Sequence, residues 1–211
     1  SFGSSALYSP EMLQRKIEMI KSFHVDVYPG GTFLEIALVQ GKIHEYLHRA
    51  YELGFSAVEV SDGTIELPPA QRSRIIKLAR SMGLQVLTEI GKKEEGESFN
   101  TDLMGEQINK DLDDGAFKVI LEARESGKGV TIFDEKGDIE DEKMEQFLHR
   151  VQGKKHIIWE APLKKQQVYF LSLFGPKVNL GNIMPGEVLA LQSLRNGLRA
   201  DTFKLALEGD N

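Results

Sequence analysis

The sequence predicts an α/β protein built on a parallel sheet, and within that class a (β/α)8 barrel. Three observations lead there. Short apolar runs alternate with amphipathic helical stretches from end to end. No glycine-rich GxGxxG or Walker-type turn follows an early strand, as an open doubly wound sheet usually requires. Six apolar runs are explicit and the opening SFGSS looks like the end of a seventh, a count that favours the closed barrel. With 211 residues, 41% hydrophobic and 27% charged, the chain is long enough to bury the core of one such domain.

The opening SFGSS reads as the end of a strand, followed at once by a helix over Pro10–Ser22. Ser9 stands where a cap is needed, Pro10 suits the first helical position and Glu11 complements the helix N-terminus. Strands are then predicted over 25–28, 57–61, 84–89, 117–122, Ile157–Glu160 and 178–181, where β-branched and aromatic residues cluster. Helices are predicted between them over 33–53, 68–82, 101–113, 141–151, Lys164–Phe174 and 185–197. Gly54, Gly83, Gly115 and Gly175 fall at or just past helix ends, where a left-handed residue stops a helix. Six strands and the trace of a seventh make residues 1–211 a single barrel domain whose first βα unit is expected to lie ahead of this chain. No low-complexity tract or composition shift divides it.

Composition narrows the function. A net charge of −6 and a pI near 5.5 leave no basic surface for a phosphate backbone, so a nucleic-acid partner is not expected. The absence of cysteine removes disulfides, thiolate nucleophiles and thiolate metal sites. No apolar run approaches the ~20 residues needed to span a bilayer, and the expected setting is the cytoplasm. Residues 44–48 read HEYLH, a formal match to the zinc-protease pattern HExxH. Helical spacing argues for coincidence: Ile43, Tyr46, Leu47, Ala50 and Leu53 form one apolar face, with His44 and His48 at its polar margin.

The predicted strand exits are VYPGGT, VEVSDGT, LTEIGKK, ILEARESGKG, IWEAPLKK and NLGN. Glu59, Glu89, Glu122 and Glu160 lie in or at the end of runs that are otherwise apolar. A buried carboxylate is costly unless it is paired or metal-bound. Ion pairing with Lys118, Arg124 or Lys92 is one solution. A shared polar site with a hard cation is another, since Mg2+ takes oxygen ligands, commonly one or two carboxylates with water and substrate oxygens. Gly91 then allows the chain to turn and swing Lys92 or Lys93 over the strand ends, where a partly desolvated lysine exchanges a proton near neutrality. Arg124 and Lys128 among the glycines of ARESGKG, and the Gly181–Asn182 turn of NLGN, suit an anionic substrate.

The blocks VYPGGTFLE, GFSAVEVSDGTIELP, VLTEIGKK, GAFKVILEARESGKG, IIWEAPLKKQQV, NLGNI and SLRNGLRADTF closely resemble phosphosulfolactate synthase, in order, from Phe2 to about Phe203. The resemblance implies a (β/α)8 barrel, Mg2+ dependence, a homotrimer and the addition of sulfite to phosphoenolpyruvate to form (2R)-phospho-3-sulfolactate. It also implies a further βα unit ahead of the FG strand. The lysine and tryptophan expected around that glycine are missing from SFGSS. On this reading Glu89 and Glu122, with Asp62 or Glu160, hold Mg2+ directly or through water. Lys92 or Lys93 donates the proton, Glu59 stands with them in the catalytic group, and Arg124, Lys128, Gly181 and Asn182 bind phosphate or sulfite. The product would serve coenzyme M synthesis or sulfolactate formation. Two alternatives stand beside it: a non-catalytic barrel like the heat-stress-associated plant proteins that resemble this family, and a Mg2+-dependent lyase or aldolase acting on another phosphorylated enol acid.

Overall fold

A computed structural model describes residues 9–91, 100–123, 126–129 and 132–207. Lys92, Lys93, Arg124 and the SFGSS segment lie outside the described residues. The chain divides into two compact units, residues 1–90 with 108–119 and residues 91–107 with 120–211. The strands stand in sheet order β1-β2-β3-β4-β5, following chain order without the reversal that a doubly wound sheet requires.

The first unit is built on β1 (Ala57–Val60) and β2 (Gln85–Ile90), paired in parallel with Ala57 opposite Gln85 and Val60 opposite Thr88. The first residues of β3 (Lys118–Leu121) follow, and the Phe117 N–H donates to the Val86 carbonyl at 2.7 Å. Around the strands lie α1 (Pro10–Ser22), α2 (Gly31–Val39), α3 (Ile43–Glu52), α4 (Pro69–Ser81) and the later turns of α5 (Thr101–Asp114). α1 begins as its sequence requires, with Ser9 Oγ accepting the Met12 N–H at 3.2 Å. Its Leu13 and Ile17, one turn apart, are buried in a core shared with Leu34, Leu47, Val58, Ile76 and Val86. Each such side chain contributes about 1.5–3 kcal/mol by leaving water. Because strand side chains alternate in direction, Val58 and Val60 enter that core while Glu59 points to the opposite face.

The second unit contains β4 (Ile157–Glu160) and the two-residue β5 (Leu180–Gly181), parallel, with Glu160 opposite Gly181. Its helices are α6 (Asp141–Arg150), α7 (Lys164–Phe174), α8 (Val188–Arg195) and α9 (Phe203–Leu207). Trp159, 2% exposed, is the centre of its packing. The rings of Phe170, Phe174 and Phe147 lie 4.9, 5.1 and 5.9 Å from it, spacings at which aromatic pairs attract. A smaller cluster joins α7 to α8 through Leu171, Leu191 and Leu194.

Four sequence expectations change. Residues 25–28 are extended without being a strand: the Val27 carbonyl accepts from both Ser56 and Ala57 N–H, and Ser56 Oγ takes the Val27 N–H. A side chain thus replaces the ladder there, and Pro29 has no N–H with which to extend one. The helix expected over 33–53 is two helices, broken at Gly41, whose φ of 68° ends α2. The strand over 178–181 shortens to Leu180–Gly181 because Asn179 turns its amide to the carbonyls of Lys155 and Ile157. The last long helix opens as a 3-10 turn, Pro185–Glu187, before α8. Among the described residues no helix is long and apolar enough to cross a membrane.

Candidate active site

In the first unit the exits of β1 and β2 are organised by two buried charges. Glu35, 2% exposed, accepts hydrogen bonds from the hydroxyls of Ser61 and Thr64 and from the N–H groups of Gly63 and Thr64 at 3.0 and 3.1 Å. Burial pushes its carboxyl up, but the Ser61 and Thr64 bonds outweigh that and hold it below the usual carboxylate value. Arg72, also 2% exposed, reaches Asp111 through Nε at 3.0 Å and Nη2 at 2.8 Å. Its Nη2 donates to the Glu89 carbonyl at 2.9 Å and its Nη1 lies 3.6 Å from Asp62. One guanidinium therefore ties α4 to α5 and to both strand exits, a use to which its planar fork is suited.

Glu59 is 9% exposed and accepts the Gly31 N–H at 2.9 Å, so its carboxylate caps the first turn of α2, where the helix dipole favours negative charge. A Cβ at Gly31 would overlap that carboxylate, which is why glycine stands there.

In the second unit Glu160 receives the Ala123 N–H on Oε2 at 2.8 Å, with the Asn182 amide 3.5 Å from the same oxygen. Asn182 has φ 55°, a left-handed conformation that asparagine tolerates better than most residues. A Cβ at Gly181 would lie 2.9 Å from Ile158 Cγ2, so the β5 backbone approaches β4 closely. Lys128 is exposed, between Gly127 and Gly129.

The structure thus brings Asp62 and Glu89 together through Arg72 in one unit, and Glu160, Gly181 and Asn182 together in the other. Glu122, half-buried, directly follows β3. Among the described residues no three histidine or carboxylate side chains form a group able to hold a metal. His44 and His48 of HEYLH are exposed, and His48 lies 3.6 Å from Glu52. Sequence reasoning missed Glu35, Arg72, Asp111 and Gln166, all buried. The signal was present: Arg72 shares a helical stripe with Ile75, Ile76 and Ala79, and Glu35 lies between Leu34 and Ile36.

Parallel strands joined by helices, with acids and glycine turns at the exits, define an α/β enzyme of the βα-repeat class. The fold is similar to the crystal structure of a Pseudomonas aeruginosa protein assigned provisionally as a dihydrodipicolinate synthetase. The TM-score is 0.52 at 14% identity, over 96% of this chain and 71% of that one. A family model described as (2R)-phospho-3-sulfolactate synthase (ComA) matches residues 1–201, and the chain belongs to that family. Relatives named phosphosulfolactate synthase include one from Methanothermobacter thermautotrophicus, 42% identical over 96% of this chain and 79% of the relative. One from Methanocaldococcus jannaschii is 43% identical over 96% and 81%. One from Bacillus subtilis is 34% identical over 97% and 81%.

Proposed function

We propose that the chain catalyses the addition of sulfite to phosphoenolpyruvate, giving (2R)-phospho-3-sulfolactate, with Mg2+ as cofactor. The observation that supports this most strongly is membership of the family along almost the whole chain, with relatives named phosphosulfolactate synthase above 40% identity. Sulfite sulfur attacks the methylene carbon, the C–S bond forms as the carbon–carbon π bond breaks, and the electron pair moves onto the carboxylate as an enediolate. A proton delivered to the adjacent carbon completes the addition. Lys92 or Lys93 is the proposed donor, with Glu59 in support. Lys128, Arg124 and the Gly181–Asn182 turn hold the anionic groups by charge and backbone N–H.

The donor set suits a hard cation, being all oxygen in a chain without cysteine. Glu89 and Glu122, with Asp62 or Glu160, are the carboxylates proposed to hold it directly or through water; one or two suffice for Mg2+. When bound, the ion would stabilise negative charge developing on the substrate carboxylate. The same reading has a homotrimer at work in the cytoplasm, supported by the family resemblance.

The test is turnover of phosphoenolpyruvate with sulfite and Mg2+, followed by phosphorus NMR, with controls lacking sulfite or containing EDTA. Product that requires both sulfite and metal is the expected result. No product from folded, metal-loaded protein would overturn the proposal in favour of a binding role.

A further inference from the structure

The segment between β3 and α6 carries Lys128 and is held against the start of α7 by one buried side chain. Gln166 is 1% exposed. Its Nε2 donates to the carbonyls of Gly127 at 2.7 Å and Gly137 at 3.1 Å, while its Oε1 accepts the Leu163 N–H at 3.0 Å. Both donors and the acceptor of one carboxamide are therefore engaged. Glutamate could not replace it, because an ionised carboxylate offers no donor and would face two carbonyl oxygens.

The glycines it holds are left-handed, with φ 61° at Gly127 and 78° at Gly137. A Cβ on Gly137 would lie 2.7 Å from the Gly127 carbonyl oxygen and 2.8 Å from Leu163 Cδ1. The chain thus closes on Gln166 from two sides, too tightly for any side chain. Lys128 follows Gly127 directly, and its own N–H donates to Ser126 Oγ at 3.3 Å. Next comes Gly129, with φ 63° and its N–H on the Asp134 carbonyl at 2.8 Å. An exposed lysine therefore stands on a backbone whose two flanking residues are fixed from within.

We infer that Gln166 is a positioning residue for substrate: by holding the Gly127 and Gly137 carbonyls it sets the turn from which Lys128 meets the phosphate of the enol-phosphate substrate. This rests on the reading that Lys128 binds that phosphate. A clamp of this kind acts on affinity, since it orders the cation before substrate arrives and leaves the reacting carbon alone.

The test is steady-state kinetics with phosphoenolpyruvate varied at saturating sulfite, on the full chain, for Lys128→Ala, Gln166→Met, Gly137→Ala and the double variant K128A/Q166M. Gln166→Met and Gly137→Ala are each expected to raise KM for phosphoenolpyruvate by about tenfold, with kcat within about twofold, as loss of one or two hydrogen bonds would give. In the Lys128→Ala background Gln166→Met should add nothing further. Should Gln166→Met fail to fold, Gly137→Ala strains the same turn with Gln166 intact and carries the test. Lower kcat at unchanged KM, or a Gln166→Met effect that adds in full to Lys128→Ala, overturns the positioning role. A Lys128→Ala enzyme with unchanged KM overturns the phosphate reading itself and the inference with it.

Discussion

The first unit holds the loop leaving β1 with an ionised side chain, Glu35, and ties that loop to β2 and α5 with a second, Arg72. The second unit holds the segment leaving β3 with a neutral one, Gln166, and packs its strand behind the rings around Trp159. Both fix backbone near candidate site residues, yet their energetics differ. A buried charge is secure only while its partner remains, and losing the partner costs more than the pair contributes. A satisfied carboxamide costs less to lose and does not titrate. The first arrangement should therefore be brittle and acid-sensitive, the second more tolerant.

Replacing Arg72 with methionine should produce the largest effect. It takes the buried guanidinium away from Asp111, 1% exposed, and should lower unfolding free energy by about 3–5 kcal/mol in a urea titration. The double variant R72M/D111L should recover part of that loss, because a well-packed apolar pair has no buried carboxylate to compensate. If R72M alone costs no more than an exposed substitution, the contrast between the units is wrong.

Glu35→Gln should cost less, about 1–3 kcal/mol, since four donors lose an ionised acceptor. It also sharpens the pH contrast. The Glu35 carboxyl is depressed below its usual 4.5 in the folded protein, so its contribution is full above that pH and is lost as pH falls through the folded value. Asp114 adds to the same limb: burial raises it, but bonds from Lys77, Ser73 and Lys110 hold it at about 2 against the usual 3.8. Stability plotted against pH below 4.5 should flatten in Glu35→Gln and keep its slope in Gln166→Met. The second unit's depressed carboxyl in this segment, Asp134, is held down by the Asp138 N–H at the surface, where solvent screens it.

Arg15→Ala marks the small end of the scale. Its pair with Glu11 at 3.0 Å is exposed on α1, and its removal should change stability by less than about 0.5 kcal/mol. A loss as large as that of Arg72→Met would mean that exposed pairs matter here as much as buried ones.

Much of the fold was readable because its signals are local. The helices Pro10–Ser22 and Lys164–Phe174 and the strand Ile157–Glu160 fall at their predicted bounds, set by a cap, a proline or a glycine beside the periodic run. Gly41 was also local, but the apolar pattern on either side of it masked the break between α2 and α3. The strand-end acids were visible because each closes an apolar run of its own strand. The residues that organise the strand exits were not. Arg72 and Asp111 are 39 residues apart, so each reads alone as a flaw in an amphipathic helix, as Gln166 does 39 residues from the Gly127 carbonyl it holds. Only when two such flaws meet in space does either acquire a role.

The central proposal is that Glu122, at the exit of β3, serves the reaction more than the fold. It is tested most directly by measuring turnover and urea midpoint together for Glu122→Gln, a change of charge without change of shape at the exit of β3. Loss of kcat/KM by about a hundredfold or more with an unchanged midpoint is the predicted result, the scale expected when a carboxylate proposed to hold the charge-stabilising cation is removed. Full turnover, or a loss that follows a fall in stability, would contradict the claim.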